Sequence, residues 1–245
     1  MNIKGWKKKY DEILKEFNFS KSEDTKSARV LSSILKRKFP IKKLEQKIRN
    51  QTVFVVGAGP SLVSSIPILK KYKNITKIAA DGTTRAMIEN KIMPDIVVTD
   101  LDGEPEFLKK ASMSGAIMVV HAHGDNIEKL PLASEFRSCI GTTEGQPFGN
   151  IHNFGGFTDG DRCVFLARYF MAKKIILIGM DFGPKIGRYS KIQVYDRPTK
   201  LRKLKRGKKL LEWLASEDNS GLYTTKPIKG FTKIRAANLG KIISD

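Results

Sequence analysis

Cysteine is scarce in this chain of 245 residues, which contains only two. Cys139 and Cys163 form no C-x-x-C pair and lack the cysteine and histidine spacing of zinc sites. The sequence therefore excludes a structural zinc site, and its cysteine content is typical of proteins in a reducing compartment.

Long hydrophobic runs are also missing. The longest, Ala116–Val120 and Ile175–Ile178, have the length of a strand and are too short to cross a bilayer. The first nine residues contain four lysines and no apolar stretch, so we expect no secretory signal peptide. These absences predict a cytoplasmic protein without a membrane-spanning segment.

Acidic residues are few relative to basic ones: 25 Asp and Glu oppose 45 Lys and Arg, a net charge of +20. Such a surplus indicates a polyanionic partner, either nucleic acid, an acidic membrane or a phosphorylated small molecule. The surplus is concentrated in two flanks: residues 1–50 carry +9 and residues 183–210 carry +10, whereas residues 51–182 are neutral. With 40% hydrophobic residues the chain can bury a sizeable core.

The hydrophobic pattern predicts an α/β fold, a mostly parallel Rossmann-like sheet with helices on both faces and a small helical N-terminal appendage. Apolar residues recur at helical spacing in residues 6–19 and 27–39. We expect an appendage at 1–50, a catalytic domain at 51–183, and a basic lid-like loop with a C-terminal helix at 184–245. In this last segment Lys185–Lys209 reads as a loop that runs into a helix around Leu204–Leu214, with no further strand beyond Asp181. Five short apolar runs are the expected strands: Thr52–Val56, Lys77–Ala80, Ile96–Thr99, Ala116–Val120 and Lys174–Ile178.

Ligands of open α/β sheets bind outside the carboxyl ends of the strands. After the first strand, Gly57-Ala58-Gly59-Pro60-Ser61 allows a tight turn into a helix start that suits a phosphate. An ordinary strand-to-helix turn is the alternative. Asp81 and Gly82 follow the second strand, where a ribose-binding acid of a nicotinamide site would also lie.

Asp100 and Asp102 follow the third strand and form a D-x-D pair. Residues two apart on a strand face the same way, so both carboxylates can reach one hard cation such as Mg²⁺. The alternative is two surface acids that cap the helix beginning near Glu104.

The remaining rim residues allow several roles. His121, His123 and Asp125 fit a transition-metal site. Alternatively, one histidine contacts a phosphate or base while Asp125 joins the magnesium site, or the histidines are structural. Asp159 is read either as a helix cap or as a functional acid, and Asp181 as a functional acid.

These motifs together resemble the archaeal-type 6-hydroxymethyl-7,8-dihydropterin pyrophosphokinase family, which is itself similar to thiamine pyrophosphokinase. The resemblance covers about residues 50–185. The motifs that carry it are Val55–Leu62, Ala80-Asp81-Gly82, Pro94–Gly103 and His121–Asn126.

The resemblance implies an ATP-dependent diphosphotransferase that converts the hydroxymethyl dihydropterin into its diphosphate and AMP, for folate-like or methanopterin-like coenzymes. It implies that Asp100 and Asp102 hold Mg²⁺, with Asp81 and Asp125 as further ligands or orienting groups. Gly57, Gly59 and Ser61 would line the nucleotide pocket, together with Asp81 and Gly82. Catalytic roles fall to Asp100, Asp102, Asp125 and His123.

Basic and apolar residues complete this interpretation. Lys185, Arg188 and Lys191 would close over the triphosphate, assisted by Arg202, Lys205 and Arg206, or would simply be solvated. Asp181, Asn153 and Phe154 are candidates for the pterin. The expected partners are small-molecule substrates, without a membrane, and a homodimer is the default assembly.

Three alternatives remain open. Another D-x-D transferase, including thiamine pyrophosphokinase, would use the same metal and nucleotide. A nicotinamide-dependent enzyme would use Gly57-x-Gly59 and Asp81 but leaves the D-x-D pair unused. A nucleic-acid-binding protein would explain the charge, but carboxylates along the rim would repel a phosphate backbone.

Overall fold

A computed structural model describes residues 3–36, 39–190 and 196–244. In this part of the chain nine strands form one sheet: β1 (Thr52–Val56), β2 (Thr76–Ala80), β3 (Ile96–Thr99), β4 (Ile117–His121), β5 (Cys139–Thr142), β6 (Ile151–His152), β7 (Lys174–Ile178), β8 (Leu222–Thr224) and β9 (Thr232–Lys233). Their order is β6-β5-β4-β3-β2-β1-β7-β8-β9. Every neighbouring pair of strands is parallel. The predicted α/β class is confirmed.

Helices cover both faces of the sheet. They are α1 (Trp6–Phe17), α2 (Lys21–Ile34), α3 (Ile41–Ile48), α4 (Leu62–Lys71), α5 (Thr83–Glu89), α6 (Pro105–Met113), α7 (Asp159–Tyr169), α8 (Arg197–Glu217) and α9 (Leu239–Ser244), with a 3₁₀ segment at Gly124–Glu135. Side chains of α1, α3, α7 and α8 pack against Val53 and Val55 on one face. Side chains of α2, α4, α5, α6 and α9 pack against Phe54 and Val56 on the other. The near-continuous apolar strands follow from this double burial.

The N-terminal helices share both cores of the sheet. Trp6, Tyr10 and Ile13 of α1 belong to one core, and Leu31 of α2 belongs to the other. The boundaries near residues 50 and 183 stay a prediction. In the described ranges no helix is long and apolar enough to cross a membrane.

The sequence missed four short strands. All five predicted strands are present, with bounds that differ by at most one residue. β5, β6, β8 and β9 contain two to four residues each, too few for a periodic signal. The expectation of no strand beyond Asp181 was therefore wrong.

Helix α8 is longer than predicted. It begins at Arg197, so the prediction of a loop through Lys209 was wrong. Asp196 caps the helix by accepting from the Thr199 amide at 3.0 Å, and Pro198 occupies its first turn. These local signals start a helix well before the apolar residues around Leu210.

The strand order determines where along the carboxyl ends of the strands a ligand site can form. From β1 the chain moves outward to β6 and then returns to β7 on the other side of β1. The loops that follow β1 and β7 therefore diverge to opposite faces of the sheet. This divergence opens a crevice at the carboxyl ends, where ligands of such sheets bind.

Candidate active site

A cavity of about 380 Å³ lies at the carboxyl ends of the strands. Loops after β1, β2, β3, β4 and β7, the start of α7 and one side of α8 surround it. The lining includes nine of the residues predicted from the sequence: Gly57, Gly59, Asp81, Gly82, Asp100, Asp102, His123, Asp125 and Lys185. Ser61 and Arg188 are not among its lining residues in the described ranges.

The glycine turn after β1 is bonded to the end of β7. Gly57 donates its amide to the Ile178 carbonyl at 2.9 Å, and Gly59 donates to the Gly179 carbonyl at 2.8 Å. A Cβ on Gly59 would lie 2.6 Å from that same carbonyl oxygen, so glycine is required there. The turn thus presents its backbone directly to the cavity.

Ser61 and Asp181 pair with each other beside this turn. The amide and hydroxyl of Ser61 donate to Asp181 Oδ2 at 2.8 Å and 2.6 Å. The other oxygen, Oδ1, lies 3.8 Å from Lys226 Nζ. The carboxylate of Asp181 therefore occupies the start of α4, where the sequence placed a phosphate.

Three carboxylates converge on the cavity: Asp81, Asp100 and Asp159 each offer one oxygen, and these oxygens lie within 4.8 Å of one another. Asp81 is 5% exposed. Its Oδ2 accepts from the Gly103 amide at 2.7 Å, and its buried Oδ1 has no hydrogen-bond partner among the described residues. An unpaired buried oxygen in an all-oxygen group fits a hard divalent cation.

Burial and mutual repulsion act on these acids. Burial, reinforced by the charge of Asp100, raises the pKa of Asp81 above its ordinary value. Burial and the charges of Asp100 and Asp81 also raise the pKa of Asp159 well above its ordinary value. A bound cation would lower the pKa values of these acids again, because it favours the charged form of each carboxylate.

Asp159 is available to this group because another residue caps α7. Asp161 accepts from the amides of Phe157 and Thr158, the latter at 3.0 Å. The carboxylate of Asp159 instead lies 3.5 Å from Arg162 Nη1. The sequence left Asp159 undecided, although an acid three residues after Thr158 is the spacing of a capping box.

Asp102 and Asp125 line the cavity outside the three-carboxylate group. β3 ends at Thr99, and Leu101 has a left-handed φ of 65° and buries its side chain. Asp100 and Asp102 therefore both lie beyond the end of β3. The alternation of side chains along a strand, which was expected to align the two carboxylates, does not apply to them. Asp102 forms an ion pair with Lys129, and Asp125 is exposed.

The two histidines have different surroundings. His121 is buried, with Nδ1 3.1 Å from Thr142 Oγ1. Burial and the charge of Arg162 hold the pKa of His121 well below its usual range, so the ring is neutral. His123 lines the cavity, and its Nε2 lies 3.8 Å from Asp100 Oδ2.

Asn126, to which the sequence assigned no role, fixes the loops that carry these groups. Its amide nitrogen donates to the carbonyls of Asp100 and His121 at 2.8 Å and 2.7 Å. Its oxygen accepts from the His123 amide at 3.0 Å. One buried side chain thus ties the end of β3 to the end of β4.

The basic residues that line the cavity are only partly those predicted. Lys185 lies in the wall, and α8 adds Lys200 and Lys203, which the sequence did not single out. Arg188 stacks on the Tyr189 ring, 4.7 Å from its centroid. Lys191 lies outside the described residues.

Two predicted arginines bind α8 to α1. Arg202 donates to the Glu16 carbonyl at 2.9 Å, and Arg206 donates to Glu16 Oε2 at 2.6 Å and pairs with Glu12 at 3.2 Å. Lys205 is exposed. In this structure both arginines join helices.

The predicted pterin contacts Asn153 and Phe154 do not line the cavity in the described part. Asn153 donates to the Glu144 carbonyl at 2.7 Å. Phe154 packs in the core, with its ring centroid 5.3 Å from that of Phe170. Asp181 lies in the cavity wall but is paired with Ser61.

Curated archaeal proteins are similar in sequence to most of this chain. The chain is 47% identical over 222 residues to a Pyrococcus furiosus protein named 6-hydroxymethyl-7,8-dihydropterin pyrophosphokinase. The alignment covers 87% of this chain and 94% of the relative. A Methanocaldococcus jannaschii protein of the same name is 42% identical over 231 residues, covering 87% and 96%. A Methanothermobacter thermautotrophicus protein of that name is 40% identical over 227 residues, covering 87% and 95%.

A solved structure shares the fold at low identity. The MAf glycosyltransferase from Magnetospirillum magneticum AMB-1 superposes with a TM-score of 0.57 at 12% identity, over 89% of this chain and 41% of that chain.

The family described as 6-hydroxymethylpterin diphosphokinase MptE-like matches residues 27–187. Because this match spans most of the chain and the relatives align over nearly their full lengths, the chain belongs to the 6-hydroxymethylpterin diphosphokinase MptE-like family.

Proposed function

We propose that this protein is a pyrophosphokinase that transfers the diphosphate of ATP to 6-hydroxymethyl-7,8-dihydropterin and releases AMP. The relatives carry the name of this activity. The observation that carries the proposal is the group of Asp81, Asp100 and Asp159, which lines the same cavity as the glycine turn. Phosphoryl transfer of this kind needs chiefly positioning and charge neutralisation.

Asp81, Asp100 and Asp159 are the proposed ligands of Mg²⁺, with Asp102 and Asp125 within the same cavity as outer groups. Mg²⁺ would supply positive charge that offsets the charge of the phosphates. The three carboxylates that would hold it come from the ends of β2 and β3 and the start of α7.

The phosphates of ATP would lie along the turn at Gly57 and Gly59. The ammonium groups of Lys185, Lys200 and Lys203 lie in the wall of the same cavity and are the proposed cationic contacts of the phosphates. The acceptor hydroxyl attacks the β-phosphorus and the bond to AMP breaks. His123 and Asp125 are proposed to orient this hydroxyl and to take its proton.

The test is to incubate the protein with ATP, Mg²⁺ and the hydroxymethyl dihydropterin and to quantify the nucleotides and pterins. We expect AMP and the pterin diphosphate in equal amounts. Formation of ADP, or turnover of thiamine or a sugar acceptor without turnover of the pterin, would contradict the proposal.

The Asp100→Asn variant tests the metal assignment. We expect turnover to fall by at least about 100-fold, because one ligand charge is lost at the site of phosphate charge. Asp11→Asn, at an exposed position outside the cavity, is the matched control and should keep normal turnover. Near-normal activity of Asp100→Asn would remove Asp100 from the site.

Location and assembly complete the proposal. We propose that the enzyme is cytoplasmic, acts on small molecules, and is a homodimer. Light scattering of the purified protein measures the assembly, and a monomeric mass would contradict a homodimer.

A further inference from the structure

A second cavity of about 380 Å³ adjoins the active-site cavity. Its outer side is formed by the turn between α1 and α2, and its inner side by Glu144 and Arg162. The two cavities share five lining residues: Asp100, His123, Asp125, Phe157 and Lys203. A molecule in the second cavity would therefore reach the proposed site of phosphoryl transfer.

The inner side of this second cavity holds a buried polar group. Glu144 is 5% exposed and forms an ion pair with Arg162, while its Oε1 lies 3.7 Å from His121 Nε2. Arg162 Nε and His121 Nε2 are buried and have no hydrogen-bond partner within the described ranges. Buried polar atoms without partners are rare in proteins, and of these two residues Arg162 lines the second cavity.

Aromatic rings line the same cavity. Phe19 and Phe157 both belong to its wall, and their centroids are 6.4 Å apart. Asp24 holds this wall in place, because it accepts from the Tyr10 hydroxyl at 2.6 Å and from the Gly124 amide at 2.9 Å. A flat heterocycle finds apolar ring faces here beside a carboxylate.

The wall of this cavity is rich in hydrogen-bond acceptors. Five carboxylates line the cavity, together with two cationic side chains. The carboxylates are Glu23, Asp24, Asp100, Asp125 and Glu144, and the cations are Arg162 and Lys203. A neutral ring rich in N–H donors finds acceptors for its polar edge here.

We infer that the second cavity binds the pterin acceptor and that Glu144 accepts hydrogen bonds from its amino-pyrimidinone edge. This inference rests on the proposed function. Phe19 and Phe157 contact the ring, and the hydroxymethyl group points to the wall shared with the active-site cavity, next to His123 and Asp125. Glu144 is thus a specificity residue, and the N-terminal helices form part of the substrate site.

Glu144→Gln and Phe19→Ala test this inference, because one changes the polar edge and the other the apolar wall. We expect each to raise KM for the pterin, by at least about tenfold for Glu144→Gln, since one acceptor oxygen of the carboxyl group becomes an amide N–H donor. KM for ATP should stay within about twofold of wild type. The matched control is Glu128→Gln, an exposed glutamate outside both cavities.

Pterin binding without ATP is measured by calorimetry on the same full-length proteins, whose folding is checked by thermal melting. If Glu144→Gln does not fold, Phe19→Ala decides. An unchanged pterin affinity and KM in the folded variants would overturn the inference while the proposed function stands. Wild-type protein that binds the pterin without converting it would overturn the function instead, and wild-type protein that binds no pterin would overturn both.

Discussion

Asp159 and Asp161 show how two identical side chains on one helix turn acquire different tasks. Asp161 is fully buried and is held by the Phe157 and Thr158 amides, so it starts α7. Asp159 is left to join Asp81 and Asp100. Local hydrogen bonds thus decide which carboxylate is structural and which is available for a cation.

Asp81 carries an electrostatic cost in the absence of a cation. Because its pKa is raised in the folded protein, the native state binds its proton more tightly than the unfolded chain does. This contribution to stability is full below the ordinary pKa of 3.8 and is lost as the pH rises through the raised value. Above that range the charged carboxylate opposes folding unless a cation is bound.

Asp81→Asn should therefore raise the Tm of metal-free protein at pH 8, by roughly 3–8 °C. The increase in Tm that Mg²⁺ gives the wild type should be absent in this variant. Scanning calorimetry with and without Mg²⁺ measures both effects. A variant that is less stable than wild type at pH 8 without metal, or that keeps the full Mg²⁺ increment, would show that Asp81 is not a ligand.

The loop at residues 182–190 crosses the cavity between the ends of β7 and β2. Gly187 packs directly on the Ala58 carbonyl, and the Tyr189 carbonyl packs on Gly82. Tyr189 also donates its hydroxyl to Glu89 Oε2 at 2.8 Å. These contacts hold the loop against the turn after β1 and the start of α5, with Lys185 in the wall of the cavity.

Gly187→Ala should open this loop, because the added Cβ would overlap the backbone at Ala58 and Gly59. We expect KM for ATP to rise by about tenfold and the loop to be cleaved faster by protease. Gly183→Ala is the matched control on the same loop, since a Cβ there meets no atom within 4 Å. Equal KM values and cleavage rates for the two variants would show that the loop does not close the ATP site.

The N-terminal helices stabilise the whole molecule as well as the second cavity. Trp6 donates its indole N–H to the Glu144 carbonyl at 2.9 Å, and its ring lies 5.6 Å from that of Phe165 in α7. The contacts of Arg202 and Arg206 with α1 hold the same helix from the side of α8. Helices from both ends of the chain are therefore joined over one face of the sheet.

Trp6→Ala should destabilise the entire protein by about 3–5 kcal/mol, because it leaves a cavity in the main core and removes a buried hydrogen bond. Urea denaturation followed by circular dichroism measures this loss. Met113→Ala, at a residue 63% exposed, should change stability by less than about 0.5 kcal/mol. Separate unfolding of the N-terminal helices before the sheet would contradict this expectation.

Some of the basic residues behind the net charge of +20 join helices, and others line the active-site cavity. In the second basic flank Arg202 and Arg206 join helices, while Lys185, Lys200 and Lys203 face the cavity. Seven of the 14 acidic residues of the neutral region line the same cavity. Cations from a distant helix thus meet acids from the strand ends at one site.

The sequence alone determined the fold class, five of the nine strands and the loops that form the functional edge. Strands that are buried on both faces of a parallel sheet consist almost wholly of apolar residues such as Val and Ile. Thr52–Val56 and Lys174–Ile178 have this composition, so both strands could be recognised from the sequence alone. The same local motifs carried the resemblance to the family to which the chain belongs.

Only the tertiary structure decided which residues meet. Asp159 joins Asp81 and Asp100, and Lys200 and Lys203 reach the cavity, because α7 and α8 pack against the sheet at particular orientations. Asp102 lines the cavity outside the group of Asp81, Asp100 and Asp159, because β3 ends at Thr99 and Leu101 adopts a left-handed conformation. The second cavity exists because the turn between α1 and α2 and Glu144, more than 100 residues apart in the chain, come to lie on its two sides. Side-chain direction and long-range packing fix these distances, and neither is encoded in a local pattern.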